Sequence, residues 1–245
     1  MLPFLLILAS PSVETFQVGG VQRQALVYRG TGTEPMAGRP LVLAFHGHGG
    51  SMRQAARSFD VQTNWPEATV VYPDGLPTPG MTDPEGQRKG WQQKPGEQKD
   101  RDLAFTDAIL SRMKGYDPKR VYAMGHSNGG RFTYVLWAER GSVFAAYGIS
   151  GSPVIGLFRQ LKPASAFITA GEKDPIVPYR SQEWSIDAVR RLLGADPSRA
   201  KKDGYLSLEP AKDGLELGTY IFPRGHEFPA EAARATVELF KRHNL

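Results

Sequence analysis

One serine and one histidine in this sequence stand in settings that suit acyl-transfer chemistry. Ser127 lies in the run Gly-His-Ser-Asn-Gly at residues 125–129, which has the form G-x-S-x-G. A serine hydroxyl becomes a nucleophile only when a base takes its proton, and an acid must orient that base. His226, in a loop ahead of the last predicted helix, is the candidate base. The pair predicts a serine nucleophile that is activated by histidine.

The acid that orients the histidine is expected at the end of another strand. Asp174 follows the apolar run 166–170 closely and precedes Pro175, so its carboxylate could reach over a sheet edge toward the histidine. Glu172 is the nearest rival for the same role, and capping of a turn is an alternative role for Asp174. We predict the catalytic set Ser127, Asp174 and His226, in that chain order.

A glycine-rich loop at residues 46–50, His-Gly-His-Gly-Gly, follows the apolar run 41–45. Attack on a carbonyl creates a negatively charged oxygen, which needs two preorganised backbone N–H donors. One donor is predicted to be Asn128, the residue after the nucleophile. The second is predicted to be His48 or Gly49, and a simple tight turn is the alternative reading of these glycines.

The elements that must hold these groups are indicated by hydrophobic periodicity. Residues 15–18 and 24–28 alternate as in two edge strands, and the turn at residues 19–20 between them predicts an opening hairpin. Short apolar runs typical of buried strands occupy residues 41–45, 68–72, 120–124, 144–149, 166–170 and 218–222. Helices are predicted over residues 103–113, 130–139, 182–193 and 230–243, either from apolar residues at helical spacing or from their place between successive strands. The alternation predicts an α/β fold with a mostly parallel central sheet and helices on both faces, with ligand loops at the carboxyl ends of the strands.

Composition limits the classes of protein to consider. The chain has 245 residues, 40% of them hydrophobic and 22% charged, so residues 13–245 are predicted to form one catalytic domain. The net charge is +5, but the 30 Lys and Arg residues are scattered among 25 Asp and Glu residues rather than collected into a basic tract, which argues against a nucleic acid partner. With no cysteine there can be no disulfide, thiolate metal site or cysteine nucleophile. The sequence assigns no oligomeric state.

The first twelve residues are apolar but too short to span a bilayer, and no later stretch looks transmembrane. They resemble the apolar part of a secretory signal, although no Lys or Arg precedes it. We therefore expect a secreted or periplasmic protein. The alternative is an apolar arm that packs on the body of a cytoplasmic protein.

The motifs together resemble the compact esterases related to feruloyl esterases and polyhydroxybutyrate depolymerases, within the α/β-hydrolase superfamily. The blocks that carry the resemblance are residues 43–50, 71–75, 90–91, 102–105, 125–130, the Asp174 loop and 225–226. The resemblance implies hydrolysis of carboxylic esters, small or polymeric, through an acyl-enzyme on Ser127. It implies no metal and no organic cofactor.

A long irregular segment at residues 74–99, rich in Gly, Pro, Gln and charge, is expected to contact the substrate. Within it, Trp91 is predicted to be an aromatic platform for the substrate, with core packing as the alternative. The interval between residues 149 and 166 is too short for a large helical lid. We expect an open site.

Two other functions remain as alternatives. The first is a peptidase or amidase on the same fold, because some prolyl peptidases have a very similar nucleophile motif, although they usually add a propeller domain. The second is a non-catalytic binding protein that keeps the fold. The intact set of serine, acid and histidine argues against the second, since a binding protein does not need all three together.

Overall fold

The strands of the computed structural model, which describes residues 10–31 and 38–245, fall into one large sheet and one short hairpin. They are β1 (Ser12–Val18), β2 (Val21–Tyr28), β3 (Arg39–Phe45), β4 (Thr69–Pro73), β5 (Leu76–Pro77), β6 (Lys89–Gly90), β7 (Tyr116–His126), β8 (Ala146–Ser150), β9 (Ser165–Gly171), β10 (Lys201–Asp203), β11 (Leu206–Pro210) and β12 (Glu216–Phe222). The large sheet has ten strands in the order β1-β2-β4-β3-β7-β8-β9-β12-β11-β10, and β5 pairs with β6.

The middle of the large sheet is parallel. Strands β4, β3, β7, β8, β9 and β12 all run in the same direction, whereas β1, β2, β11 and β10 extend the two edges in antiparallel pairing. Every residue of β8 and β9 is buried, as expected for parallel strands that are covered on both faces. The carboxyl ends of six strands therefore meet along one edge of the sheet.

Helices cover both faces of this sheet. They are α1 (Met52–Phe59), α2 (Val61–Asn64), α3 (Arg101–Arg112), α4 (Asn128–Glu139), α5 (Tyr179–Leu193) and α6 (Ala230–Arg242). Apolar side chains of α3, α4 and α5 pack in one hydrophobic cluster, and those of α1, α2 and α6 pack in a second cluster on the opposite face. The predicted α/β architecture, with a mostly parallel sheet between two layers of helices, is confirmed.

Several elements were not predicted from the sequence: α1, α2, the short β5–β6 pair and the β10–β11 hairpin. Helix α1 is short and buries Met52, Ala55, Ala56 and Phe59, which recur at helical spacing on one face. Ser51 caps it by accepting the Gln54 N–H at 3.2 Å. The β10–β11 hairpin adds an edge whose first strand is fully exposed. Helix α1 packs on β3 and β4, so its apolar face was detectable, whereas the exposed strand β10 has no apolar face for periodicity to detect.

The N-terminal segment is described only in part. Residues 1–9, on which most of the predicted signal or arm falls, lie outside the described residues, and Ser12 begins β1. None of the helices described in residues 10–31 and 38–245 is long and apolar enough to cross a membrane.

A buried ion pair ties the irregular segment at 74–99 to the body of the protein. Arg23 of β2 donates to the Asp102 Oδ1 of α3 at 2.9 Å and to the Asp74 carbonyl at 3.3 Å. The other oxygen of Asp102 accepts the backbone N–H of Gln92 at 2.8 Å. Both charged side chains are almost completely buried, and a buried pair of this kind destabilises strongly when one partner is removed. The segment is therefore held in place over the sheet edge.

Candidate active site

Ser127 occupies the sharp turn between β7 and α4. Its backbone has φ 56° and ψ −121°, a left-handed conformation that is strained for any residue with a side chain. A Cβ on Gly125 would lie 2.3 Å from the Gly129 carbonyl oxygen, and one on Gly129 would lie 2.2 Å from the Phe45 carbonyl oxygen. Only glycine fits at either position. The G-x-S-x-G spacing thus follows from the close approach of β3, β7 and α4 around the serine.

The structure brings Ser127, Asp174 and His226 into one hydrogen-bonded chain. The Nε2 of His226 lies 2.7 Å from the Ser127 Oγ, and its Nδ1 lies 2.7 Å from the Asp174 Oδ2. The three residues follow β7, β9 and β12, so the parallel sheet collects them at one edge. Because a carboxylate only accepts hydrogen bonds, the Nδ1 of His226 must carry a proton. Its Nε2 is then free to accept the proton of the serine hydroxyl.

The carboxylate of Asp174 is held by several donors. Its Oδ1 accepts the backbone N–H groups of Ile176 and Val177, each at 2.8 Å, and its Oδ2 also accepts the Gln182 Nε2–H at 3.0 Å. Burial acts to raise the pKa of Asp174, but the hydrogen bonds from His226, Val177 and Ile176 outweigh it and lower the pKa below its usual value. The group is therefore an ionised acceptor at neutral pH.

Of the two acids considered from the sequence, only Asp174 reaches the histidine. Glu172 is exposed and makes no hydrogen bond to His226. The backbone N–H of Glu172 instead pairs with the Phe222 carbonyl at 2.9 Å, which fixes the loop beside β12. The geometry thus separates two candidates that the sequence placed two residues apart.

Asn128 and His48 each place a backbone N–H group beside Ser127 for which the described residues supply no acceptor. Asn128 opens α4, where the first N–H groups have no acceptor within the helix. The His48 N–H has no hydrogen-bond acceptor in the described part of the chain, and both residues line the cavity at Ser127. The Gly49 N–H donates to the Lys89 carbonyl at 2.7 Å, so the prediction of Gly49 as the second donor is wrong. The hydrogen bond between Gly49 and Lys89 forms only because the segment at 74–99 folds back against the glycine-rich loop.

His46 holds the glycine-rich loop through hydrogen bonds at both nitrogens of its ring. It is buried, its Nδ1 donates to the Gly47 carbonyl at 2.7 Å, and its Nε2 accepts the Gly75 N–H at 2.9 Å. Burial lowers the pKa of His46, so the ring stays neutral and keeps both hydrogen bonds. His46 therefore has a structural role in holding residues 46–50 beside Ser127.

Trp91 is a core residue, and the prediction that it forms a substrate platform is wrong. Its side chain has no exposed surface. The ring packs against Phe45 and Phe132 with centroids at 5.2 and 5.6 Å, and its Nε1 donates to the His46 carbonyl at 2.9 Å. The Asn128 side chain accepts the backbone N–H of Trp91 at 2.7 Å and donates to the backbone carbonyl of Trp91 at 3.0 Å. Asn128 thus also anchors the irregular segment.

Replacing Trp91 with alanine is expected to lower the free energy of unfolding by about 3–5 kcal/mol, because a fully buried aromatic ring is lost. Urea unfolding measures this change. Trp184, which is 46% exposed, is the matched control, and Trp184→Ala should cost less than about 1 kcal/mol. A stable Trp91→Ala protein that differs only in KM would restore the platform interpretation.

His126, the variable residue of the serine motif, packs behind the catalytic candidate His226. The two rings have centroids 4.8 Å apart, and the Nδ1 of His126 lies 3.0 Å from the Ser150 Oγ. Burial, reinforced by the nearby His226, lowers the pKa of His126 to about 3. It is therefore a neutral ring at working pH. No local pattern in the sequence predicts this contact.

The burial of His126 predicts a loss of stability in acid. In the unfolded chain histidine binds a proton below about pH 6.5, whereas the folded protein keeps this ring neutral down to about pH 3. Protons therefore favour the unfolded state between these two values, and stability falls as the pH drops through this window. His126→Asn cannot bind that proton, so urea midpoints should fall less between pH 7 and about pH 4 than in the wild type. Parallel pH dependence in the two proteins would contradict the assignment.

A cavity of about 390 Å³ opens directly at Ser127. Its walls come from the glycine-rich loop, the segment at 74–99, the first turn of α4 and the loops after β8 and β9; the lining includes His48, Met81, Gln93, Arg131, Ile155 and Val177. A mostly apolar groove adjoins it, shares Ile155, Pro178 and Ser181 with it, and ends at Trp184. The exposed aromatic residue beside the site is therefore Trp184, which sequence reasoning placed in a helix without a role.

Comparison with known proteins supports the same superfamily. A sequence profile of the prolyl oligopeptidase family matches residues 87–184. The chain is 27% identical over 200 residues to the bifunctional acetylxylan esterase/xylanase XynS20E of Neocallimastix patriciarum, covering 78% of this chain and 27% of that protein. It is 27% identical over 197 residues to NocK of Nocardia uniformis subsp. tsuyamanensis, a protein named as an esterase, covering 67% of this chain and 55% of NocK.

The chain thus spans about a quarter and about half of these two relatives. Among solved structures, the acetyl xylan esterase from Aspergillus awamori superposes with a TM-score of 0.67 at 14% identity, covering 94% of this chain and 99% of that one. At that identity the match bears on the fold alone. These comparisons confirm the predicted resemblance to esterases of the α/β-hydrolase superfamily, and the chain has the α/β-hydrolase fold.

Proposed function

We propose that the protein is a serine esterase that hydrolyses carboxylic esters through an acyl-enzyme on Ser127. The observation that carries the proposal is the chain of two 2.7 Å hydrogen bonds that joins Asp174, His226 and Ser127 at the mouth of a cavity. This geometry supports the proposed roles of nucleophile, base and orienting acid, because such roles follow from the arrangement of the groups rather than from sequence position. The relatives that are named as esterases support the same reaction class.

In the first half of the proposed reaction, the Nε2 of His226 accepts the hydroxyl proton while the Ser127 Oγ attacks the ester carbonyl. Asp174 holds the imidazole in the required tautomer and stabilises its positive charge. The N–H groups of His48 and Asn128 donate to the oxygen that becomes negative. Collapse of the tetrahedral intermediate breaks the bond to the alcohol, which leaves with the proton from His226.

In the second half, water takes the place of the alcohol. His226 removes a proton from the water as it attacks the acyl-enzyme carbonyl, and the same two N–H groups stabilise the new oxyanion. The acid is released when the Ser127 oxygen recovers its proton. The overall reaction consumes one ester and one water and yields one acid and one alcohol.

The proposed substrates are feruloyl or acetyl esters of plant polysaccharides, or hydroxyalkanoate polyesters. An open cavity that continues into an apolar groove toward Trp184 supports an extended substrate. The match to a bifunctional acetylxylan esterase/xylanase favours a polysaccharide ester within this group. Ranking kcat/KM over feruloyl, acetyl-sugar, short-chain and hydroxybutyrate esters tests the choice. Export from the cytoplasm remains a prediction from the first residues alone.

A peptidase or amidase is the second candidate, because the prolyl oligopeptidase profile covers the segment that contains Ser127. A p-nitrophenyl ester and the anilide with the same acyl group distinguish the two reactions. We expect a higher kcat/KM for the ester, and a reversed preference would establish the peptidase instead. A fluorophosphonate probe that failed to label the protein would indicate a non-catalytic binding protein.

A further inference from the structure

Arg131 is a cation held beside Ser127 without an ionic partner. It lies one turn along α4, and its backbone N–H donates to the Ser127 carbonyl at 2.8 Å. Its side chain is only partly exposed and lines the cavity at Ser127. Its guanidinium forms no ion pair with any acid in the described part of the chain. The Glu97 carboxylate affects the pKa of Arg131 electrostatically but is too distant to form a salt bridge with it. A charge that is partly removed from water without a partner is costly.

Two backbone carbonyls set the orientation of the Arg131 guanidinium. Its Nε donates to the Gln93 carbonyl at 2.8 Å and its Nη1 to the Pro153 carbonyl at 3.1 Å. Its Nη2 donates to no atom of the described residues and is not among their fully buried unpaired nitrogens, so solvent or a ligand can reach it. Two of its nitrogens are thus used to fix the group, and the third is left for another acceptor.

The walls of the cavity favour a negative group. Among the described residues that line it, His48 is the only ionisable side chain apart from Arg131, and none of them is Asp or Glu. The His48 imidazole faces Asp83 at 3.1 Å, so it is already engaged. A guanidinium recognises carboxylates through short charge-assisted hydrogen bonds. Arg131 is therefore the group that can attract an anion to Ser127.

We propose that Arg131 binds a carboxylate of the substrate, so that the enzyme prefers esters carrying a carboxylate a few bonds from the reacting carbonyl. This inference rests on the proposed ester hydrolysis at Ser127. The short spacing follows from the chain, because the Arg131 N–H binds the Ser127 carbonyl at 2.8 Å and both side chains line the same cavity. An oligomer of hydroxy acids has such a carboxylate at one end, whereas an acetyl ester of a neutral sugar does not. Arg131 therefore favours the hydroxyalkanoate esters, whereas the match to the acetylxylan esterase/xylanase favours a polysaccharide ester, and matched charged and uncharged esters distinguish the two.

Matched pairs of esters test the preference. On the acyl side, the p-nitrophenyl monoester of adipic acid is compared with p-nitrophenyl hexanoate, which has the same chain length and a methyl group in place of the carboxylate. On the alcohol side, p-acetoxybenzoate is compared with p-acetoxybenzamide. We expect kcat/KM of the wild type to be at least about tenfold higher for the charged member of one pair, and the pair that responds identifies the side on which the carboxylate binds.

Variants assign the preference to Arg131. Arg131→Met should abolish the preference, so that kcat/KM becomes equal within about twofold for the charged and the uncharged ester, whatever loss the two esters share through the freed Gln93 and Pro153 carbonyls. Arg131→Lys should keep part of the preference. Arg159→Met removes an exposed arginine that does not line the cavity and should keep all of it. If Arg131→Met is too unstable to assay, the wild type still gives a reading, because a preference due to charge must weaken as salt rises.

The outcomes separate the inference from the proposed function. Equal kcat/KM within both pairs, with hydrolysis that requires Ser127, overturns the inference and leaves the esterase intact. A preference that survives in Arg131→Met and is indifferent to salt also overturns it. No hydrolysis of any of the four esters overturns the proposed function and the inference together.

Discussion

The Ser127→Ala protein is expected to hydrolyse p-nitrophenyl esters with a kcat about 10⁴- to 10⁶-fold below that of the wild type. Alanine removes the oxygen that forms the acyl-enzyme, and the remaining N–H donors and cavity retain only part of the rate enhancement over water. Burst kinetics with p-nitrophenyl acetate, together with the steady-state rate, would measure this loss. The variant should also lose labelling by a fluorophosphonate.

The fold should tolerate this change. The side-chain oxygen of Ser127 makes its hydrogen bond with His226, and alanine meets the same left-handed backbone strain as serine at this position. The melting temperature is therefore expected to stay close to that of the wild type. Ser152→Ala is the matched control, because Ser152 lines the same cavity, and it should lower kcat by less than about tenfold. Full activity of Ser127→Ala would refute the proposed nucleophile.

The Asp174→Asn protein is expected to lose about 10⁴-fold in kcat. An amide can present its NH₂ group to the Nδ1 of His226, which would then have to be the acceptor, so that the Nε2 carries the proton and can no longer take one from Ser127. The neutral amide also leaves the imidazolium without its counter-charge. Steady-state kinetics with the p-nitrophenyl ester used for Ser127→Ala measure the loss.

Glu172→Gln is the control for this substitution, since Glu172 is an acid of the same loop that is exposed and does not contact His226. Its activity should stay within about threefold of the wild type. Because Asp174 also accepts the N–H groups of Ile176 and Val177, thermal unfolding must accompany the kinetics to show that Asp174→Asn is folded. A strong effect of Glu172→Gln with a weak effect of Asp174→Asn would reverse the assignment of the acid.

Several elements could be predicted because their cause is local. Continuous apolar runs identify β3, β8 and β9, since a strand covered on both faces must be apolar along its whole length. The glycines around Ser127 are visible for a similar reason, because a side chain there would collide with backbone. Strand ends carry the candidate residues, and a parallel sheet brings such ends together.

Other features have causes that are distant in sequence. A tryptophan suits both a substrate platform and a hydrophobic core, so its residue type does not show which role it has. Trp91 belongs to the core because its ring packs against Phe45 of β3 and Phe132 of α4. The Gly49 N–H is occupied because Lys89, forty residues further on, folds back against the loop. His126 lies behind His226 only because β7 and β12 deliver their loops to the same edge.

The sequence by itself determined the fold class, the serine turn with its glycines and the candidates Ser127, Asp174 and His226, because strand periodicity, glycine sterics and residue chemistry are written in short segments. The tertiary structure alone decided that Asp174 rather than Glu172 reaches the histidine and that Trp91 is buried. It also decided that, within the described residues, the N–H of His48 rather than that of Gly49 is free and Arg131 lines the cavity without an acidic partner. Each of these depends on which hydrogen-bonding group or surface a remote segment occupies. That competition is settled only when the whole chain packs.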